Sequence, residues 1–452
     1  MRTVFSIAIL VLLIGPSASA ADVWPQFRGP TGQGDALEER LPLEWSETKG
    51  IKWKTPLPGR GWSSPVVGGG RIWLTAAVEK AKDEAKRTEL LKSYEKLPAK
   101  EQFLRFDSVS LKAIEVDFDS GKILSEVNLF EQEAPAPIHG LNTYASPTPV
   151  LDLENGRLFC HFGTFGTACV NTHTGELIWK RQLELQHVVG PGSSPALYGN
   201  LLIVPNDGID RQYIAALDVA TGETVWEQER PAIREENTDH HKAFSTPLLI
   251  EFNGRPQAVI PGAQWFVAYD PLSGDELWRV DHGPGFSNVA RPVFDGRLLF
   301  LNTGLGKAQL WAVRPDGIGD VSESHIVWRE TRQIPAMSSP VLSHGRIYLV
   351  TDGGVASCLD AETGKTLWRE RMPGKYSASP LAGGGRIYFS SHEGRTTVIA
   401  DSQEFKVLAR NDVDGMLMAS PAAVDGDLVL RTDTNLYRVT GPCRHETADA
   451  RP

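Results

Sequence analysis

This sequence predicts an all-β fold, an eight-bladed β-propeller of four-stranded antiparallel blades, and two recurring signals predict it. The first is the segment Ala216-Leu-Asp-Val-Ala-Thr-Gly-Glu-Thr-Val-Trp226, with close copies over 169–179, 268–278 and 358–368. The second is a proline, usually after a small residue: Ser64-Pro65, Ser146-Pro147, Ser194-Pro195, Thr246-Pro247, Arg291-Pro292, Ser339-Pro340, Ser379-Pro380 and Ser420-Pro421. Beyond the first interval these landmarks recur at roughly the 40 to 50 residues of a propeller blade. The longer first interval requires an insertion.

Within a unit the elements follow in a fixed order, clearest in the sixth. Ser338-Ser-Pro-Val-Leu, Arg346-Ile-Tyr-Leu-Val, Val355-Ala-Ser-Cys-Leu and Thr366-Leu-Trp-Arg are four short β-branched and aromatic runs. His344-Gly345, Asp352-Gly353-Gly354 and Thr363-Gly364 separate them and supply the positive φ of tight turns. Such a meander has two apolar faces, so blades stack radially to bury them. Apolar residues never hold a 3.6-residue period across a unit, which argues against a helical repeat.

The tryptophans that close the copies, Trp179, Trp226, Trp278 and Trp368, with Trp53 and Trp328 in similar contexts, lie on the outermost strand. That position suits docking against the neighbouring blade, where burying a large ring is worth a few kcal/mol. The eighth unit runs out after Asn435-Leu-Tyr-Arg-Val, and Gly50-Ile-Lys-Trp53-Lys-Thr is expected to supply its fourth strand. The first unit carries the insertion, about 79–106, whose Lys, Glu, Ala and Leu favour some helix.

Arg2, the apolar run Val4 to Ile14, Gly15-Pro16 and Ala18-Ser-Ala20 read as a signal peptide over 1–20. The run is too short to span a bilayer. The expected product is exported, periplasmic or secreted, without a transmembrane segment, with an N-terminal extension over 21–49, the propeller over 50–441 and a tail over 442–452. Export permits disulfides among Cys160, Cys169, Cys358 and Cys443. Cys160 and Cys169 fall opposite one another if their hairpin turns at Thr164-Phe165. Against this, Cys169 and Cys358 stand where other copies have Ala216 and Ala268, as small buried residues. A formal charge of −10 argues against a nucleic-acid partner.

The loops leading into the Ser-Pro strands gather at one mouth of the channel. They carry Arg60, Trp62, His139, Asn142, Tyr144, His187, His240, His241, Lys242, Arg291, Lys375 and Tyr376. These are either solvated loop residues or a pocket for an anionic or sugar-like ligand. Thr238-Asp239-His240-His241 offers metal-ligand types, but adjacent histidines on an extended segment diverge and no partner triad is visible, so no metal is assigned. No Gly-x-Ser-x-Gly elbow and no phosphate loop occur.

The motif of Ala216, Asp218, Thr221, Gly222 and Trp226 resembles the tryptophan-docking repeat of PQQ-like propellers, found in quinoprotein alcohol dehydrogenases and in BamB, the outer-membrane assembly propeller. Trp24-Pro-Gln-Phe-Arg-Gly-Pro-Thr-Gly, with Gly61-Trp-Ser-Ser-Pro-Val, is similar to exported PQQ-like repeat proteins of the planctomycete type. The resemblance implies one of two functions. One is a non-catalytic BamB-like platform, a monomer binding a protein, small molecule or glycan at one face. The other is a dehydrogenase using PQQ and calcium. Those enzymes typically place an adjacent Cys-Cys disulfide over the quinone, and this chain has no adjacent cysteines. No cofactor and no catalytic residue are therefore expected.

Overall fold

Each predicted unit forms an antiparallel meander, and eight of them make up the computed structural model, which describes residues 23–36, 40–93, 105–187 and 189–440. The inferred signal peptide, the tail over 442–452 and Cys443 lie outside the described residues. From the channel outward, blade 1 is Val66–Gly68, Arg71–Ala81, Phe106–Asp117 and Ile123–Glu133, and blade 2 is Val150–Asp152, Arg157–His161, Thr167–Asn171 and Leu177–Arg181. Blade 3 is Ala196–Tyr198, Leu201–Asp207, Gln212–Asp218 and Thr224–Glu229, and blade 4 is Leu248–Phe252, Arg255–Pro261, Trp265–Tyr269 and Glu276–Asp281. Blade 5 is Val293–Phe294, Leu299–Asn302, Leu310–Val313 and Ile326–Glu330, and blade 6 is Val341–Ser343, Arg346–Val350, Val355–Asp360 and Thr366–Arg371. Blade 7 is Leu381–Gly383, Arg386–Ser390, Arg395–Ala400 and Val407–Asp412. Blade 8 takes Ala422–Val424, Asp427–Arg431 and Asn435–Val439 from the end of the chain and Ile51–Pro56 from its beginning, paired from Ile51 opposite Val439 to Pro56 opposite Asn435. The insertion extends the hairpin of blade 1 as far as Ala81 and Phe106, and the helix Glu84–Ser93 follows its first arm.

The chemistry of the repeat explains its spelling. Asp218 Oδ1 accepts the backbone N–H groups of Ala220 and Thr221 and the Thr221 hydroxyl, while Gly222 N–H donates to the Asp218 carbonyl, fixing the turn. Gly222 has φ +72°, and a Cβ there would lie 2.6 Å from ring atoms of Trp179 in the preceding blade. That indole donates Nε1–H to the Val219 carbonyl at 3.0 Å. Trp53, Trp226, Trp328 and Trp368 likewise donate to Phe118, Pro271, Ala361 and Ser402 of the next blade. Trp278 departs from the pattern. Its Nε1 donates to Gln257 Oε1 of its own blade at 2.8 Å, and Gln257 relays the contact to the Pro315 carbonyl of blade 5 at 2.8 Å. Blade 5 replaces the Thr-Gly turn with a longer excursion, whose strand Gly319–Asp320 pairs in parallel with Trp278 and Arg279.

The residue opposite each of the four motif indoles is small: Cys169 faces Trp179, Ala216 faces Trp226, Ala268 faces Trp278 and Cys358 faces Trp368, whereas Trp53 of the closing strand faces Arg438. This overturns the cross-strand disulfide. Cys160 pairs with Ala168 and Cys169 with Phe159, one residue out of register, so the two sulfurs point to opposite faces of blade 2. Cys160, Cys169 and Cys358 are free and buried.

Blade 2 also corrects one landmark. Inner strands begin directly after the proline, and in blade 2 that proline is Pro149, so Thr148 rather than Ser146 occupies the repeat position.

Candidate functional site

The repeat position before each inner-strand proline faces the channel, and seven of the eight blades place a hydroxyl there: Ser64, Thr148, Ser194, Thr246, Ser339, Ser379 and Ser420. Six of these hydroxyls, all but that of Ser64, tie one blade to the next. Ser64 N–H donates to Thr148 Oγ1 at 2.9 Å, Thr148 N–H to Ser194 Oγ at 2.9 Å and Ser194 N–H to Thr246 Oγ1 at 3.1 Å. The series resumes from Arg291 N–H to Ser339 Oγ at 2.9 Å, then Ser339 to Ser379 at 3.1 Å and Ser379 to Ser420 at 2.9 Å. A hydroxyl that accepts an N–H keeps its own O–H to donate. The ring therefore leaves O–H groups on the channel lining that can donate.

Arg291 interrupts the ring. Its Nε and Nη2 donate to the Pro247 carbonyl of the preceding blade at 3.1 and 2.8 Å, and its guanidinium also holds the Phe27 carbonyl and Gln26 Oε1. These belong to an N-terminal segment that crosses the channel. Leu151 N–H donates to the Pro25 carbonyl, Trp24 bridges Val67, Gln33 Oε1 accepts from Phe294 N–H, and Gly34 and Ala36 pair with Ala382. Every one of these inner-strand residues lies two positions past its proline, so the segment lies one step below the hydroxyl ring. Arg28, on the segment, donates to the Gln33 and Pro340 carbonyls. A third arginine, Arg431, donates to the Ser63 carbonyl and hydroxyl and to the Thr75 carbonyl. All three are at most 2 % exposed. Burial lowers each guanidinium to about 9, with Arg291 adding repulsion at Arg28.

Above the ring the channel opens as a cavity of about 430 Å³. Phe27 reaches it from the segment below, and Trp62, Leu141, Val189, Phe244, Leu305, Met337 and Met418 form an apolar collar at the mouth. Leu141 and Leu305 are about half exposed there, unlike ordinary core residues.

Of the twelve residues expected at the mouth, Trp62, His139 and Asn142 line this cavity. Asn142 is engaged with the Val189 and Pro191 carbonyls, and Trp62 donates its indole N–H to the Leu141 carbonyl. The other nine stand elsewhere. Arg60 pairs with Glu79, the buried Tyr144 and Tyr376 donate to the Ala136 and Pro373 carbonyls, and the Lys375 N–H is taken by Glu393. His187 packs behind Phe244, with burial holding it down at about 4. His240 stacks on Phe286 at 4.0 Å, His241 Nε2 meets the Glu235 carbonyl, and the buried Lys242 pairs with Asp239. Arg291 is spent on the channel floor. The hydroxyl ring was visible in sequence only as a run of Ser-Pro landmarks, and the segment across the channel carries no period that reveals it.

Two chemical readings can be tested against this lining. Among the described residues no Asp or Glu lines the cavity, and no group of three or more His, Cys, Asp and Glu could hold a metal ion. The residues present thus do not fit a calcium-bound quinone with a carboxylate base. Ser377, at the rim, shares a hydrogen bond with His392 Nε2 at 2.8 Å. Among the described residues no carboxylate is hydrogen-bonded to that imidazole, although the fields of Glu393 and Asp352 reach it.

The family model of the outer membrane protein assembly factor BamB matches residues 43–228 and 263–430. The chain belongs to this BamB family. No curated protein matches the sequence significantly. Among solved structures, BamB from Moraxella catarrhalis is similar at 15 % identity and a TM-score of 0.53, over 73 % of this chain and 93 % of that one. Quinohemoprotein alcohol dehydrogenase from Comamonas testosteroni is similar at 11 % identity and a TM-score of 0.60, over 94 % and 82 %. A europium-containing methanol dehydrogenase gives 11 % identity and a TM-score of 0.57, over 91 % and 89 %. At these identities the likeness of this BamB-family chain to both groups is one of fold.

Proposed function

We propose that this chain is an exported, non-catalytic binding propeller, and that the mouth of its channel is the binding site. One observation carries the reading: the cavity joins an apolar collar to a floor of hydroxyl donors and contains neither carboxylate nor coordinating cluster. Such a lining holds and orients a ligand, and among the described residues it offers no carboxylate base and no cluster to hold a metal. The match to the assembly-factor family model is consistent with the reading. Export rests on the leader over 1–20. Among the described residues no helix is long and apolar enough to cross a membrane.

The reading is tested with 8-anilinonaphthalene-1-sulfonate, an apolar probe whose emission rises in dry pockets. One saturable site is expected. Leu141→Glu, which puts a carboxylate into the collar at a half-exposed position, is expected to abolish it without altering the thermal midpoint. Probe binding unchanged in the variant places the site elsewhere and defeats the reading.

A further inference from the structure

Arg28, Arg291 and Arg431 all stand at or beside the hydroxyl ring. Arg291 is a ring position itself, Arg28 binds the carbonyl next to Ser339, and Arg431 binds the residue next to Ser64. Their hydrogen-bond partners are carbonyls and a hydroxyl, which carry no charge. Asp35 is the carboxylate whose field reaches Arg28, and it makes no ion pair with it. Arg28 Nε and Nη1 and Arg431 Nε have no hydrogen-bond partner among the described residues. Arg291 and Arg431 thus have no ion-pair partner among the described residues and Arg28 has only the field of Asp35; none of the three lines the cavity, so an anion held on the ring hydroxyls beside them is favoured by their field rather than by direct contact.

The rest of the cavity narrows the choice of anion. Hydroxyls whose oxygens already accept a neighbour's N–H can offer O–H to an acceptor, and charge-assisted hydrogen bonds of that kind are strong. Higher up, the apolar Trp62, Leu141, Phe244, Leu305, Met337 and Met418 outweigh the polar His139, Asn142, Ser146, Ser287 and Ser377. A peptide threaded through that collar would leave amides unpaired, whereas an alkyl chain would not.

We infer that the channel floor binds the carboxylate of an apolar monocarboxylic acid whose alkyl chain lies in the collar. This rests on the reading of the mouth as a binding site. Calorimetric titration with decanoate and with 1-decanol separates the two. Decanoate is expected to bind at least about tenfold more tightly, with little weakening by salt because the charges are buried. Equal affinity for the alcohol overturns the carboxylate assignment and leaves the mouth reading standing; no binding of either overturns both. A hexapeptide ending in leucine, offered as free acid and as amide, is expected to bind more weakly than decanoate in both forms, and tight binding of the acid form would overturn the alkyl assignment. Ser194→Ala and Ser420→Ala, whose folding is checked by thermal melting, are expected to lower decanoate affinity about threefold or more and leave 1-decanol unchanged. Affinities for decanoate unaffected by either substitution contradict the role given to the ring.

Discussion

Arg291 Nη2 donates to the Pro247 carbonyl across the blade 4 to blade 5 boundary at 2.8 Å, filling the one place in the ring where no hydroxyl stands. The same guanidinium grips Phe27 and Gln26, so one side chain joins two blades and the segment below them. Arg291→Met keeps the volume of the stem and leaves buried carbonyls unpaired, at a cost of about 1 to 3 kcal/mol. Native-state hydrogen exchange is the measurement: the amides of Gly29, Gly32 and Gly34 are expected to lose protection before those of blade 2.

Substitution of the repeat glycine is expected to be costly although it adds one methyl group. Gly222→Ala must adopt φ +72° and force its Cβ against Trp179. A loss of about 2 kcal/mol or more is expected in denaturant unfolding. Gly199→Ala, also at positive φ but facing open space, is expected to cost less.

The ring closes between the two ends of the chain. Trp53 donates its indole N–H to the Phe118 carbonyl at 3.0 Å, tying the strand Ile51–Pro56 to blade 1 while its backbone completes blade 8. A chain beginning at Leu57 exposes the edge of Asn435–Val439, and unpaired edges of this kind associate. Aggregation measured by light scattering is expected, whereas Trp53→Ala is expected to remain soluble with a loss of about 3 kcal/mol.

Acid is expected to weaken the fold in a defined window. Burial holds His161 at about 3 and His187 and His282 at about 4, against 6.5 in an unfolded chain. Folded-state values below the unfolded value mean that the unfolded chain takes up protons first, so stability is full above about 6.5 and falls as pH drops toward 4. Asp401, held down at about 2 by hydrogen bonds from Ser343, Tyr348, Arg346 and His344, contributes its loss only below the ordinary carboxylate range. Thermal midpoints at pH 7.5, 5.5 and 4.5 are expected to decline, with His282→Gln showing the shallower slope.

What could be read in advance follows from what is local. The blade count, the closing strand and the small residue opposite each motif indole are written in short segments such as Ala216 to Trp226, because turn geometry and cross-strand pairing act over few residues. The site is not local. Ser194 and Thr246 become partners only when neighbouring blades meet, so the sequence displayed their hydroxyls without displaying the ring. Thr148 was masked by the adjacent Ser146-Pro147, which mimics the landmark two residues early. His240 and Tyr376 have the composition of a binding site, but ring stacking on Phe286 and a buried hydroxyl contact use them up. Arg291 was conspicuous as the exception among small residues, and its actual partners lie more than 250 positions away at Gln26 and Phe27.

The central claim, that the mouth binds a ligand without transforming it, is tested most directly by calorimetric titration of the metal-stripped protein with PQQ in the presence and absence of calcium, followed by an assay for alcohol oxidation. The account predicts no calcium-dependent heat and no turnover. Tight, calcium-dependent binding accompanied by oxidation of an alcohol would contradict it.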